Sequence, residues 1–156
     1  MQIGKIRAID VHVHIGRYGG MHTPKFSVEL LSGSAEFIIR QAYLANTEIS
    51  VIAPYEALRG NNPVEANKNT SELVARREGL LQWIVINPKQ PESFDQALDL
   101  LKLPKSVGIK VHSEDHNYQI AEYGERIFQF AAEHHAILAI NSGERESTPE
   151  FFAQSA

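Results

Sequence analysis

The 156 residues contain no cysteine. That absence excludes a disulfide framework and a thiolate metal site, so any metal must use His, carboxylate, Lys or amide groups. Basic charge is also scarce: 15 Lys and Arg against 19 Asp and Glu leave a net charge of −4, with a pI near 6.0. Nucleic acid and anionic membrane surfaces require a basic patch, and the sequence shows none. No apolar run approaches the ~20 residues of a membrane-spanning helix. Residues Met1 to Arg7 carry two basic side chains with no apolar stretch behind them, so no signal peptide is expected and the expected location is the cytoplasm. What is present, 43% hydrophobic and 22% charged residues, describes one ordinary globular domain over residues 1–156.

Against that background one stretch stands out: Ile9-Asp10-Val11-His12-Val13-His14-Ile15-Gly16. Alternate side chains of a strand share a face, so Asp10, His12 and His14 are expected on one side and Ile9, Val11, Val13 and Ile15 on the other. Two neutral imidazoles at i and i+2 can reach one ion at about 2.0–2.1 Å from each, with zinc, nickel, iron and manganese as candidates. The alternative for this stretch alone is an edge strand with its polar face in water.

Along the chain, Ser34 is placed to cap a helix to about Asn46, with Glu36 in its first turn and Phe37, Ile38, Gln41 and Leu44 to Ala45 as its buried stripe. Glu48 to Pro54 is a nearly continuous apolar strand. A turn at Gly60 to Pro63 opens a polar helix to about Glu78, ended by Gly79. Leu80 to Asn87 is the next strand, and Ser93 is placed to cap a helix to Lys102 that Leu103-Pro104 stops. A strand at Ser106 to Ser113, a helix near Ala121 to His135 and a strand from Ala136 to Asn141 follow. Thr148 and Pro149 then begin a last helix. Strands starting near residues 8, 48, 81, 107 and 136 have the ~30-residue spacing of βαβ repeats, predicting five parallel strands. Periodicity alone fits an open sheet or part of a barrel equally well.

The opening stretch, Val107-Gly108-Ile109-Lys110-Val111-His112 and Ala136-Ile137-Leu138-Ala139-Ile140-Asn141-Ser142-Gly143 together resemble the amidohydrolase superfamily. These are metal-dependent hydrolases built on a (β/α)8 barrel, and the likeness leans to the branch that includes the carboxymuconate-semialdehyde decarboxylase-like enzymes. The resemblance implies an incomplete α/β TIM barrel of about five strands, because a full one needs about 250 residues. It implies a divalent metal, zinc first, held by His12 and His14. It also implies a third His where this sequence has Asn141, and later His and Asp residues that would lie on strands beyond the fifth. With two strong ligands, weak or absent metal binding and no turnover from this chain alone are expected.

In the fourth strand Lys110 and His112 share a face. Lys110 is expected to offset a carboxylate such as Asp10, since an unpaired buried ammonium is costly, with a bridging metal-ligand role as the resemblance's alternative. His112 is expected to orient substrate or a ligand, or to be an ordinary core His. Loops after the strands of a barrel lie over its mouth. This places Arg17, Tyr18 and His22 as substrate-contact candidates, with one further contact from His116 or Tyr118. His134, His135, Asp95 and Asp99 are expected to do no chemistry. The leading reading is a metal-dependent hydrolase of C–N or C–O bonds in a small molecule, with decarboxylation as a variant. The rival is a non-catalytic α/β module that binds a small ligand or a protein. The outer edges of strands one and five are expected to be covered by another chain, as in a homo-oligomer, or by further polypeptide.

Overall fold

The computed structural model describes residues 6–17, 32–59, 62–142 and 147–153. Their elements run β1 (Ala8–Arg17), β2 (Ser32–Gly33), α1 (Ala35–Leu44), β3 (Thr47–Pro54), α2 (Tyr55–Arg59), α3 (Pro63–Ala75), β4 (Leu80–Val85), α4 (Pro91–Leu100), β5 (Ser106–Val111), α5 (Ser113–His116), α6 (Ile120–Glu133), β6 (Ile137–Ile140) and α7 (Pro149–Ala153). The sheet order is β2-β1-β3-β4-β5-β6. Every pair except β1 with β2 is parallel. Five parallel strands, as the repeat spacing predicts, form a curled half-barrel with alternating helices, the incomplete TIM-barrel-like α/β fold that the resemblance implies.

Alternation along the strands sorts the branched residues into an outer, helix-covered side and an inner side. On the outer side Ile84, Ile86, Ile109 and Val111 pack with Phe94 and Ala97 of α4 and Ile127 and Ala131 of α6. Ile52 and Leu80 pack with Ile38 of α1 and Val74 of α3. On the inner side Val51, Ala53, Trp83 and Val85 form a second cluster, with Ala139 against it. Ile52, Ile84 and Ile109 have no exposed surface, and burial of such a side chain contributes about 1.5–3 kcal/mol. Gly108 lets β6 come close, because a Cβ there would strike the Ile137 backbone.

Side-chain oxygens cap α1 and α3, whereas α4 starts without one. Ser34 Oγ accepts from the Phe37 amide and Asn62 Oδ1 accepts from the Glu65 amide, both at helix N-caps. Ser93 is not a cap. Helix α4 begins two residues earlier, at Pro91, whose fixed φ suits a first turn. The Ser93 hydroxyl instead bonds to the Asn87 backbone, tying α4 to the loop after β4. The stripe expected on α1 is only partly buried: Ala35 and Ile38 are covered, whereas Phe37 and Leu44 are 37% and 67% exposed. The cause is the position of α1 beside the sheet margin, where β1 has only the two-residue β2 on its far side. Among the described residues, β6 has no neighbour on its outer edge.

Candidate metal centre on the first strand

The register of β1 against β3 decides which side chains of the opening stretch come together. Asp10 pairs with Ser50, Val13 with Ile52 and His14 with Ala53, so β1 carries one extra residue between Asp10 and Val13. Such a bulge reverses the alternation on one side of it. Ser50 also pairs with Leu80 on the outer side, and Ala53 belongs to the inner cluster. Asp10 and His14 therefore lie on opposite faces, which corrects the expected three-residue polar stripe. The apolar stripe is split in the same way. Val13 and Ile15 pack against the Ile52 cluster, while Ile9 and Val11 are 60% and 59% exposed.

The two histidines survive this rearrangement as a pair. His12 Nε2 and His14 Nε2 are 3.2 Å apart, and Asp10 reaches His12 only through the backbone, its carboxylate accepting from the His12 amide. The His14 ring stacks on Tyr55, the first residue of α2, with centroids 4.6 Å apart and planes within 15°. Trp83 Nε1 spans β3 to donate to the Val11 carbonyl at 2.8 Å and so holds the bulge. A cavity of about 360 Å³ opens beside the pair, lined also by Asp10, Gln41, Ser50 and Tyr55.

Electrostatics keep both imidazoles neutral. Burial is the first cause of the lowered His14 pKa, which falls to about 3, with the Lys110, His12 and His112 charges adding to it. Burial, then Lys110, also lowers His12, and Asp10 opposes the shift. A neutral ring offers a lone pair. Two nitrogens bound to one tetrahedral zinc stand about 3.3 Å apart, from bonds of about 2.05 Å, so the observed spacing fits two ligands of a shared ion. The remainder of a ligand set does not assemble: among the described residues no three His or acidic groups converge on one point.

The other predicted residues are placed as follows. Lys110 lies on the inner side, between Val85 and Ala139 on the neighbouring strands, and is 3% exposed. It does not pair with Asp10, which faces the other side, so the expected charge offset is corrected; burial lowers its pKa to about 8. His112 caps α5. Its Nδ1 accepts from the Asp115 amide at 3.3 Å and its Nε2 faces Asp115 Oδ2 at 3.4 Å, which leaves no lone pair for a metal. Burial lowers its pKa, with the Asp115 charge opposing. Asp115 also pairs with Arg59 at 3.0 Å, joining α2 to α5.

His116 is buried with Nε2 2.9 Å from the Ala57 carbonyl. Tyr118 is buried in the outer core with Ile86, Phe94 and Ile127, and burial pushes its phenol pKa up. Both sit in packing positions. Asn141 follows β6 and continues its ladder, its amide donating to the Val111 carbonyl at 3.3 Å. Arg17 ends β1; the Tyr18 and His22 assignments lie outside the described residues. His134, His135, Asp95 and Asp99 are exposed, and Asp99 pairs with Lys102. Tyr55, Trp83, Arg59 and Asp115 were not singled out from the sequence. The only signal for Tyr55 is its place directly after the apolar strand that ends in Pro54.

No protein-family model and no curated protein sequence matches the chain. Among solved structures, a 2,6-dihydroxybenzoate decarboxylase from Rhizobium is similar, with a TM-score of 0.60 and 8% identity over 94% of this chain and 53% of that one. The chain thus spans about half the length of that neighbour. At this identity the likeness is one of fold.

Proposed function

We propose that the chain carries the first two ligands of a metal-dependent barrel enzyme of the amidohydrolase type, acting on a small molecule by hydrolysis of a C–N or C–O bond or by decarboxylation. The observation that carries this reading is the 3.2 Å approach of His12 Nε2 and His14 Nε2, both kept neutral at pH 7. His12 and His14 would hold a divalent ion, zinc by preference for two imidazoles, which would supply Lewis acidity toward a substrate carbonyl or carboxyl oxygen. The protein's own part is to hold the rings. Tyr55 stacks on His14, whose Nε2 stands 3.2 Å from His12 Nε2.

The fold neighbour is a decarboxylase by name, which agrees with the decarboxylase branch that the sequence resembles. One observation favours the second reading, a non-catalytic α/β module: among the described residues no third metal-binding group joins the pair.

Calorimetric titration of the intact chain with zinc chloride separates the two. A single site that disappears in His12→Gln and in His14→Gln, with the circular dichroism of both variants unchanged, is the expected result. Zinc binding that is equally strong with both histidines replaced would overturn the assignment. Absence of any heat in the unsubstituted chain at millimolar zinc favours the binding module.

A further inference from the structure

One buried reactive group is left unused by the metal reading. Lys110 sits on the inner side of β5, with two strands, β4 and β3, between it and β1. Among the described residues its ammonium has no hydrogen-bond or ion-pair partner, although the residue is 3% exposed. The charged and titratable groups that act with it are His12 and His14 of β1 and His112 at the end of β5, and protonation of each is disfavoured. Asp115, which faces His112, is already engaged by Arg59 and His112. Val85 and Ala139, its neighbours across the sheet, are apolar. His14 Nδ1, Ser113 Oγ, His116 Nδ1 and Tyr118 Oη are sealed from water without partners, and Lys110 Nζ is not among them, so its tip keeps a path to solvent.

An amine on an apolar floor, with no anion beside it and a path to solvent, has the properties of a Schiff-base lysine. We propose that Lys110 is a nucleophile that condenses with a small carbonyl compound bearing its own carboxylate, an α-keto acid. The Nζ lone pair attacks the carbonyl carbon, and a proton passes from nitrogen to the former carbonyl oxygen. A second proton from solvent lets that oxygen leave as water, giving a protonated imine. The substrate carboxylate then supplies the negative charge that the site lacks. The inference does not rest on the metal reading.

Reductive trapping tests it. The intact chain is incubated with glyoxylate at pH 8 in excess chelator, reduced with cyanoborohydride, and each lysine is quantified by peptide mass spectrometry. Lys68 and Lys102, both exposed, serve as internal references. With a pKa of about 8, half of Lys110 is neutral at that pH, against less than ~1% of an ordinary lysine. Modification of Lys110 about tenfold faster than of the references is expected, and Lys110→Met should remove that adduct alone. A parallel series with acetic anhydride reports amine acidity without carbonyl recognition. The proposal requires the Lys110 preference to be larger with glyoxylate than with the anhydride. Equal preferences, or labelling of Lys110 no faster than of Lys68 and Lys102, would overturn it.

Discussion

Replacing Lys110 by Met should stabilise the protein, and the size of the effect follows from the same burial. The residue is 3% exposed, and burial lowers its pKa from 10.5 to about 8. Each unit of displacement corresponds to about 1.4 kcal/mol, so the charged form costs the folded state about 3 kcal/mol. Below pH 8 both folded and unfolded chains are protonated and this cost is present in full. Between pH 8 and 10.5 the unfolded chain binds the proton more tightly than the folded one, so stability rises with pH and the cost fades. A methionine has similar length and no charge, and its flexible thioether adapts to the space. The variant is therefore expected to gain about 2–3 kcal/mol at pH 7 and less than ~1 kcal/mol at pH 10. In urea unfolding, with a slope of about 1–3 kcal/mol per molar, the midpoint at pH 7 should move up by roughly 1–2 M. A midpoint that falls at pH 7, or a gain of equal size at both pH values, would refute the reasoning. A falling midpoint would mean that an anion pairs with the ammonium in the folded state, and an equal gain would mean that the gain comes from packing and not from removal of a buried charge.

Two further outcomes are expected. Asn141→His places an imidazole where the amide now follows β6, and zinc affinity should rise at least about tenfold in calorimetry, since nitrogen is the better donor for that ion; unchanged affinity would show that Asn141 is not directed at the His12–His14 pair. Ile9, Val11 and Ile137, at the two margins of the sheet, are 60%, 59% and 60% exposed, so light scattering should show a mass that grows with concentration and falls in Ile137→Lys. A strict monomer over the whole range, unfolding cooperatively, contradicts an edge-covering partner.

The parts of the fold legible in the sequence were those set by local chemistry. Branched runs such as Leu80 to Val85 and Val107 to Val111 became strands because alternation and bulk decide them, and the Ser34 cap followed from its side-chain oxygen. Features that depend on a partner were hidden. The β1 bulge arises from its register against β3, and no residue between Asp10 and Val13 announces it. That one shift took Asp10 away from Lys110 and exposed Ile9 and Val11. The short helices α2 and α5 lie below the length at which a periodic pattern can be read. Ser113 to His116, after β5, fold as a single turn closed by Asn117 in the left-handed region at φ 52°. That reversal directs Tyr118 into the outer core, beside Ile120 and Ile127.

Completion of the proposed metal centre and closure of the sheet are, physically, one problem. The histidine pair stands on β1 and Asn141 follows β6, and these strands are the two margins of the parallel sheet among the described residues. Between them lie β3, β4 and β5, whose inner side supplies Val51, Trp83 and Val85, none of which can bind a metal, and Lys110, whose charge opposes a cation. His112, the one imidazole at the end of β5, has committed its lone pair to α5. A third strong ligand for the pair therefore has to approach from the open side of the curl, where β1 offers its edge and Ile9 and Val11 their exposed side chains. Polypeptide that pairs with that edge would bury those two residues, fix the bulge from its second side and bring its own side chains to the His12–His14 nitrogens. The same contact that removes the edge liability is the one able to turn two ligands into a site.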